Sequence, residues 1–355
     1  MLSPSAFYNT IINSNTDETI IDTRSSNDFS NGHLQLSTSI PLVFFSSNSA
    51  PQTISKFESA VKEFNRKRPI NKRSHQPIFV ILPDSDDINP DLIVNAVKKS
   101  CNTSDVFALR PPFTQFSRYY PQVCTTSKLP SQSSSLYCFT PNEIIPGLFL
   151  GGFPMNDPCS FFEQNRITHI INCMENGDYE IPSNVIRLNL KMEDVPLQPL
   201  QISEPLSLLN ELYDLTDSEA FSRLQAIPYL SQQAKDHQES HFEHDPLVPS
   251  FPRGIRVYVH CLMGISRSAS IILAFLINRF HLSPVNAFRI VKAQRHIVRP
   301  NDGFIRQLCQ FWCDEGCPDE RIRPMNELGL PMESQVTEQI FERHMSEIRR
   351  RVGQL

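Results

Sequence analysis

Two short apolar segments in the first third of the chain have the pattern of buried β-strands. They lie at 19–23, which ends in Asp22-Thr23-Arg24, and at 78–82, which runs into the turn residues PDSDD. Apolar residues recur at helical spacing at about 54–64 and 90–100. Strands that alternate with helices in this way predict a layered α/β domain.

The second half of the chain repeats this alternation. The predicted strands lie at 144–150, 169–173, 185–190 and 257–260. The predicted helices lie at 159–164, 206–215, 269–279, 284–295 and 304–313. We therefore expect a central mixed sheet covered by helices.

Polar, proline-containing segments predict the boundaries between these regions. The stretch TSKLPSQSSS has no apolar periodicity and separates the two halves, so we predict a domain at 1–124, a linker at 125–138 and a second domain at 139–316. Within the second domain, about 217–252 is polar and ends in prolines, which indicates a loop insertion. The tail at 317–355 carries an apolar stripe typical of an amphipathic helix.

Composition and charge narrow the class of protein. The chain has 355 residues, 40% of them hydrophobic, and a net charge of −5, so it is neither wholly disordered nor a globally basic nucleic-acid binder. The start, MLSPSAFYNTIINSNTD, lacks the pattern of a signal peptide, and the longest apolar run, at about 271–277, is too short for a membrane span. Nine scattered cysteines favour free thiols. We expect a cytoplasmic or nuclear protein without membrane or nucleic-acid partners.

The segment VYVHCLMGISRS at 257–268 is the strongest chemical signal in the sequence. A buried strand there meets a short loop that opens into an apolar helix, and such a loop directs N–H groups and the helix dipole at an anion. The same field lowers the pKa of Cys261, whose thiolate is a nucleophile. Gly264 permits the turn, and Arg267 supplies paired donors for phosphate oxygens.

A thiolate that attacks phosphorus needs an acid to protonate the leaving oxygen. We predict Asp194, which follows a strand-like run in RLNLKMED, in preference to its neighbour Glu193. Asp194 would then act as the base that activates water in the second step. Ser268 would donate a hydrogen bond to the sulfur and assist its departure.

The loop resembles the signature of Cys-based protein tyrosine phosphatases of the dual-specificity group: His-Cys, five residues, Arg and then Ser or Thr. The resemblance extends over about 139–315 through IPGLFLGG, ITHIINC, AFLI and RPNDGFIRQL. It implies a phosphate-binding loop and a supporting Asn301, and it implies no cofactor or metal. The loop residues it implies are His260, Leu262, Met263, Gly264, Ile265, Ser266 and Arg267.

Simpler interpretations compete with chemical roles for some of these residues. Cysteine at a strand end is often a small buried apolar residue, although the joint spacing of Cys261, Gly264 and Arg267 disfavours this. His260 is better interpreted as orienting the loop by hydrogen bonding than as a base. The spacing of His237, His241 and His244 could hold a metal on a helix, but a polar loop is the preferred interpretation.

The predicted substrate is a protein that carries phosphotyrosine and phosphoserine or phosphothreonine. Phosphoinositide phosphatases of this superfamily have extra lysines inside the loop, whereas Leu262, Met263, Ile265 and Ser266 add no charge. The Lys-Asn-Arg-Tyr type element of strictly tyrosine-specific relatives is absent. Asp194 and Cys261 are 261 − 194 = 67 positions apart, farther than the family resemblance leads us to expect.

The first half resembles a rhodanese-like domain through Asp22, Arg24, the pair Gly32-His33 and DVFALRPPFTQFSRYYPQVC. The position of the rhodanese cysteine, after the strand at 78–82, holds PDSDD, so sulfur transfer is not expected. A degenerate rhodanese-like domain before a dual-specificity domain is the arrangement of MAP kinase phosphatases.

A basic cluster lies between the predicted helix at 54–64 and the strand at 78–82. Its residues are Arg66, Lys67, Arg68, Lys72 and Arg73. MAP kinase phosphatases dock their kinase through a similarly placed motif followed by alternating hydrophobics, here Ile78 and Val80. A solvated surface run or a nuclear-localisation signal is the alternative. The alternative functions are a phosphatase for another phosphoprotein and a kinase-binding anchor with incidental catalysis.

Overall fold

The chain forms two compact units, Met1–Tyr137 and Cys138–Leu355. A computed structural model describes residues 2, 4–13, 19–35, 37–42, 50–67, 77–84, 89–109, 112–126, 140–155, 157–183, 185–224 and 250–315. The predictions for most of the linker at 125–138, for 225–249 with its histidines, and for the tail at 317–355 fall outside the described residues. So do Arg68, Lys72 and Arg73 of the basic cluster.

The first unit is a layered α/β structure. Its strands are β1 (Thr19–Asp22), β2 (His33–Leu34), β3 (Thr38–Ser39), β4 (Ile78–Ile81), β5 (Val106–Ala108) and β6 (Cys124–Thr125). Its helices are α1 (Pro4–Asn13), α2 (Ser26–Asn31), α3 (Ala50–Lys67), α4 (Pro90–Cys101) and α5 (Phe113–Tyr119). The main sheet has the order β3-β1-β4-β5 and is parallel throughout.

The central strands of this sheet are buried on both faces because successive side chains of a strand point in opposite directions. Ile78 and Val80 pack with Val61 of α3 in one core cluster. Phe79 lies between them, and its ring meets Phe7 of α1 edge-on at 5.5 Å. Helices therefore cover both faces of the sheet. Ile78 and Val80 are fully buried, so these two side chains offer no surface to a partner.

A buried ion pair closes the carboxyl end of β1. Asp22 is fully buried, and its carboxylate accepts hydrogen bonds from Nε and Nη2 of Arg24 at 3.0 and 2.7 Å. Nη2 also donates to the carbonyl oxygen of Gly32 at 2.7 Å, and the guanidinium lies 3.8 Å from the ring centroid of Phe113. One cation thus joins β1 to the segment after α2 and to α5.

The second unit is built around a mixed five-stranded sheet. Its strands are β7 (Asn142–Ile145), β8 (Leu148–Gly152), β9 (His169–Asn172), β10 (Ile186–Asn189) and β11 (Val257–Cys261). Its helices are α6 (Pro158–Gln164), α7 (Ser203–Tyr213), α8 (Asp217–Leu224), α9 (Arg267–Phe280), α10 (Pro284–Gln294) and α11 (Asp302–Asp314). The order is β10-β9-β11-β8-β7, and the β7–β8 pair alone is antiparallel. The predicted α/β class and mixed sheet are confirmed.

Strand β11 occupies the middle of this sheet, and all five of its residues are buried. Helix α9 is the next element after β11, and its residues 268–277 are buried. Because β8, β9 and β11 are parallel, their carboxyl ends Gly152, Asn172 and Cys261 meet at one edge. That edge carries the candidate site.

The prediction of one strand at 144–150 was wrong, because Pro146 and Gly147 turn the chain between β7 and β8. Gly147 has φ +87°, and an added Cβ would lie 2.7 Å from Cβ of Phe251. Only glycine suits this turn. The N–H of Gly147 donates to the Glu143 carboxylate at 2.9 Å, which holds the hairpin closed.

The predicted loop insertion at 217–252 was wrong at its start, where α8 forms. Thr216 and Glu219 make a capping box: the Glu219 carboxylate accepts from the Thr216 N–H at 2.8 Å, and Oγ1 of Thr216 accepts from the Glu219 N–H at 3.3 Å. The sequence signal Thr-x-x-Glu was present at 216–219. Across the described ranges, no helix combines the length and apolar character that a membrane crossing requires.

We expect Asp22→Asn to destabilise the first unit, because it leaves the buried Arg24 cation without its carboxylate. Breaking a buried pair in this way costs about 3–5 kcal/mol. Hydrogen–deuterium exchange of full-length protein, read by mass spectrometry, should show faster amide exchange in β1 and β4. Glu63→Gln makes the same chemical change on the exposed surface of α3 and should leave that exchange unaltered. Equal exchange in Asp22→Asn and wild type would contradict this role.

Candidate active site

The loop 262–266 connects the carboxyl end of β11 to the first turn of α9. Cys261 is the last residue of β11, in register with Gly152 of β8, and is 2% exposed. The thiol thus lies where a strand end, a short loop and a helix N-terminus converge, which is the arrangement that attracts anions.

Hydrogen-bond donors surround the Cys261 sulfur. The Gly264 N–H donates to Sγ at 3.2 Å and Oγ of Ser268 donates at 3.3 Å. Burial by itself raises the pKa of the thiol, but the Ser268 hydrogen bonds, the Arg267 charge and the Gly264 N–H outweigh it and lower the pKa below its ordinary value. A lower pKa increases the thiolate fraction at neutral pH.

Three successive peptide groups of the loop are held by their carbonyl oxygens. Arg295 donates to the carbonyls of Met263 at 3.1 Å and Gly264 at 2.9 Å, and the Arg299 N–H donates to that of Ile265 at 2.9 Å. In a planar trans peptide the C=O and N–H point in opposite directions. Holding the carbonyls on one side therefore turns the N–H groups of residues 264–266 to the other, and that of Gly264 reaches the sulfur.

Arg295 was missed by sequence reasoning. It is 4% exposed and also donates to Oδ1 of Asn142 at 2.7 Å, which ties the loop to β7. A single arginine at a helix end carries no periodicity or motif, so nothing in the sequence distinguished it from a solvated residue.

The turn of the loop requires glycine at position 264. Gly264 has φ +66°, and a Cβ there would overlap the Gly151 carbonyl group and lie 2.9 Å from the N of Gly152. Any side chain would push the loop away from the end of β8.

Arg267 has a buried donor that no described residue engages by a hydrogen bond. Its Nη1 donates to the Met192 carbonyl at 3.1 Å, whereas its buried Nε has no hydrogen-bond partner among the described residues and lies 3.8 Å from Oδ2 of Asp194. Met192 fixes one arm of the guanidinium. The Nε–H remains available for an oxygen bound in the loop.

Asp194 and Asn301 meet at Ser266, at the end of the loop. Oδ1 of Asp194 accepts from Oγ of Ser266 at 2.7 Å and from Nδ2 of Asn301 at 2.9 Å. The Asn301 N–H donates to Oγ of Ser266 at 3.1 Å, and its Oδ1 accepts from the Phe304 N–H at 2.9 Å as the cap of α11. The structure thus brings the predicted acid and the predicted supporting asparagine to the loop from two separate segments.

His260 lies behind the loop and is fully buried. Its Nε2 is 2.6 Å from the Tyr179 hydroxyl, and its ring stacks on Tyr258 at 5.3 Å between centroids. Burial lowers the pKa of His260 to about 4, so the ring is neutral at pH 7 and adds no positive charge beside Cys261. Tyr179 had no sequence signal, because it lies in an irregular segment 81 positions from His260.

The remaining predicted loop residues differ in exposure. Leu262 and Met263 are 44% and 56% exposed, and Ile265 is half-buried. No acidic or basic side chain occurs between Cys261 and Arg267. Within the part of the chain that the structure describes, no cluster of three or more His, Cys, Asp or Glu side chains has the form of a metal site.

Comparisons with known proteins point to one family. The model of the dual specificity phosphatase catalytic domain matches residues 247–313. Putative tyrosine phosphatase 123R of Invertebrate iridescent virus 6 is 31% identical over 171 residues, 48% of this chain and 91% of that protein. Dual specificity protein phosphatase 1-A of Xenopus laevis is 27% identical over 242 residues, 62% of this chain and 56% of that protein. The chain thus spans little more than half the length of this second relative.

Solved structures include a similar domain. The Yvh1 phosphatase domain from Chaetomium thermophilum has 26% sequence identity and a TM-score of 0.32, with coverage of 49% of this chain and 94% of that chain. The match of the family model lies wholly in the second unit. The rhodanese-like character of the first unit stays a prediction.

We expect Ser268→Ala to raise the pKa of the Cys261 thiol, because it removes a donor that stabilises the thiolate. Alkylation by iodoacetamide, followed by mass spectrometry across a pH series, should give a Cys261 midpoint at higher pH. Near the wild-type midpoint, the alkylation rate should fall.

Ser270→Ala is the matched control, since the Ser270 hydroxyl donates to the Ser266 carbonyl at 2.9 Å and not to the sulfur. Its midpoint should equal that of the wild type. An unchanged midpoint in Ser268→Ala, or an equal shift in both variants, would contradict the role of the Ser268 hydroxyl.

Proposed function

Because the chain belongs to the dual specificity phosphatase family, we propose that it hydrolyses phosphotyrosine and phosphoserine or phosphothreonine in proteins through a cysteinyl-phosphate intermediate. The observation that carries the proposal is the Cys261 sulfur, which lies among inward-turned N–H groups in a loop that ends at Arg267. A thiol with a lowered pKa inside an anion-binding loop suits nucleophilic attack on phosphorus.

In the first step the Cys261 thiolate forms a bond to phosphorus while the bond to the substrate oxygen breaks. The loop N–H groups and Arg267 hold the three other oxygens as charge develops on them. Asp194 donates its proton to the leaving oxygen. Its hydrogen bonds with Ser266 and Asn301 keep the carboxyl group beside the loop.

In the second step water attacks the phosphocysteine and releases inorganic phosphate. Asp194, now ionised, accepts a proton from the water. The Cys261 sulfur leaves as a thiolate, and the hydrogen bond from Ser268 stabilises the charge that returns to it. The thiolate and the protonated acid are then restored.

A single protein-borne phosphate is the substrate that the loop favours. Its side chains between Cys261 and Arg267 carry no charge, so they offer nothing to the additional phosphates of an inositol lipid. We propose a MAP kinase as the substrate protein, on the resemblance of the two-part arrangement and on the basic cluster of the first unit.

The described part of that cluster is exposed but already paired. Arg66 and Lys67 have side chains 75% and 69% exposed, and both contact the Glu63 carboxylate, at 2.9 and 3.2 Å. Hydrogen bonds from Arg66 and Lys67 lower the pKa of Glu63 to about 2. An acidic partner would therefore compete with Glu63 for these cations, which favours a partner with several carboxylates.

Turnover of a doubly phosphorylated MAP kinase activation-loop peptide tests the chemistry. Cys261→Ser should abolish phosphate release. Asp194→Ala should lower turnover of phosphothreonine by about two to four decades, the usual contribution of a general acid. The loss should be smaller with p-nitrophenyl phosphate, whose leaving group needs no proton.

Glu193→Ala removes the adjacent carboxylate and should leave turnover unchanged. Absence of phosphate release by the wild type would refute the proposed phosphatase activity. Full activity of Asp194→Ala beside a loss in Glu193→Ala would move the acid to Glu193.

Charge reversal tests docking through the basic cluster. The double variant Arg66→Glu and Lys67→Glu should weaken binding of a MAP kinase about tenfold, mainly through slower association, because it repels an acidic groove. Lys56→Glu and Lys62→Glu reverse two other exposed charges of α3 and should bind as the wild type does. Surface plasmon resonance at two salt concentrations gives both rates. Unchanged binding to every MAP kinase would contradict docking through the basic cluster. The cluster would then be a solvated surface run or a nuclear-localisation signal.

A further inference from the structure

Large exposed hydrophobic side chains concentrate around the candidate active site. The described residues include eight such side chains, and only Leu92 and Ile186 lie elsewhere. The other six define an apolar rim: Met155, Val195, Leu197, Leu262, Met263 and Ile297. Scattered single apolar residues are normal on protein surfaces, whereas a cluster at a cleft marks a binding surface.

Backbone contacts place one side of the apolar rim against the loop. Leu262 and Met263 belong to the loop itself, directly after Cys261. The Phe153 N–H donates to the Leu262 carbonyl at 3.1 Å, so the segment that carries Met155 lies alongside.

The other side of the apolar rim is formed by two segments. One comes after Asp194, and the other precedes Asn301, which donates a hydrogen bond to the Asp194 carboxylate. Val195 and Leu197 are the first and third residues after Asp194, and a Cβ at Gly303 would overlap Pro196 between them. Ile297 lies between Arg295 and Arg299, which both bind loop carbonyls. Leu197 is the most exposed of the six, at 92%.

A phosphorylated side chain that reaches Cys261 brings its chain neighbours to the apolar rim. Consecutive Cα atoms are only about 3.8 Å apart, so the residues before and after the phosphorylated one must lie within the surrounding segments. Apolar neighbours gain by removing surface from water there. Polar neighbours would lose their hydrogen bonds to water there, and the apolar side chains of the rim offer none in return.

This inference rests on the proposed phosphatase function. We infer that the apolar rim selects phosphoprotein segments in which apolar residues flank the phosphorylated residue. The phosphate supplies affinity through the loop, and the apolar rim supplies discrimination between sequences. Leu197 and Met155 are the specificity-determining side chains outside the phosphate loop.

Two phosphotyrosine peptides test this inference. They differ only at the flanking positions, which are Leu and Val in one and the near-isosteric Asn and Thr in the other. Wild-type kcat/KM should be about tenfold higher for the apolar peptide, the range for small apolar differences in a binding site. Leu197→Ser and Met155→Ser should each reduce that ratio about threefold and leave turnover of p-nitrophenyl phosphate unchanged, since it has no flanking residues.

Ile186→Ser is the matched control, because Ile186 is 51% exposed at the opposite end of the sheet. It should keep the wild-type ratio. Absence of wild-type turnover with p-nitrophenyl phosphate would refute the proposed function itself. Normal turnover with equal kcat/KM for the two peptides, or an unaltered ratio in Leu197→Ser, would overturn the role of the apolar rim alone.

Discussion

The planarity of the trans peptide is the constraint on which the active site depends. The C=O and N–H of one trans peptide point in opposite directions, so a held carbonyl oxygen aims the N–H group, and the loop after Cys261 is held this way three times. The holding groups, Arg295 and the Arg299 N–H, come from the end of α10 and the segment after it. The packing of a helix that is distant in sequence therefore sets the electrostatics of the site. The loop itself needs few positively charged side chains.

The same donors explain why Cys261 differs chemically from Cys101 and Cys309. Burial raises the pKa of Cys101 to about 11 and of Cys309 to about 12, because the thiolate would lose its water. Cys261 is equally buried, yet its pKa is lowered because N–H, hydroxyl and guanidinium groups replace the missing water. Burial is therefore useful at Cys261: it removes competing solvent from a site that is already provided with donors.

Features that depend on the local pattern of apolar and polar residues could be predicted from the sequence. The buried strands and the strand-loop-helix around Cys261 follow from apolar runs and spacing, and the α/β class follows from their alternation. The hairpin at Pro146-Gly147 and the capping box at Thr216 also have recognisable local signals in the sequence. Arg295 and Tyr179 had none, because their contacts join segments far apart in the chain. Asp194 was predicted from its place after a strand-like run, but the hydrogen bonds that its carboxylate accepts from Ser266 and Asn301 depend on the tertiary structure.

Asn301 links the geometry of the site to the integrity of a helix. One side chain caps α11 through Phe304 and holds the Asp194 carboxylate, while its backbone braces Ser266. Fraying of the first turn of α11 would release both the Asp194 carboxylate and the loop. The only tryptophan of the chain, Trp312, is buried on this helix. Intrinsic fluorescence therefore reports on the element that holds the Asp194 carboxylate in place, without any added label.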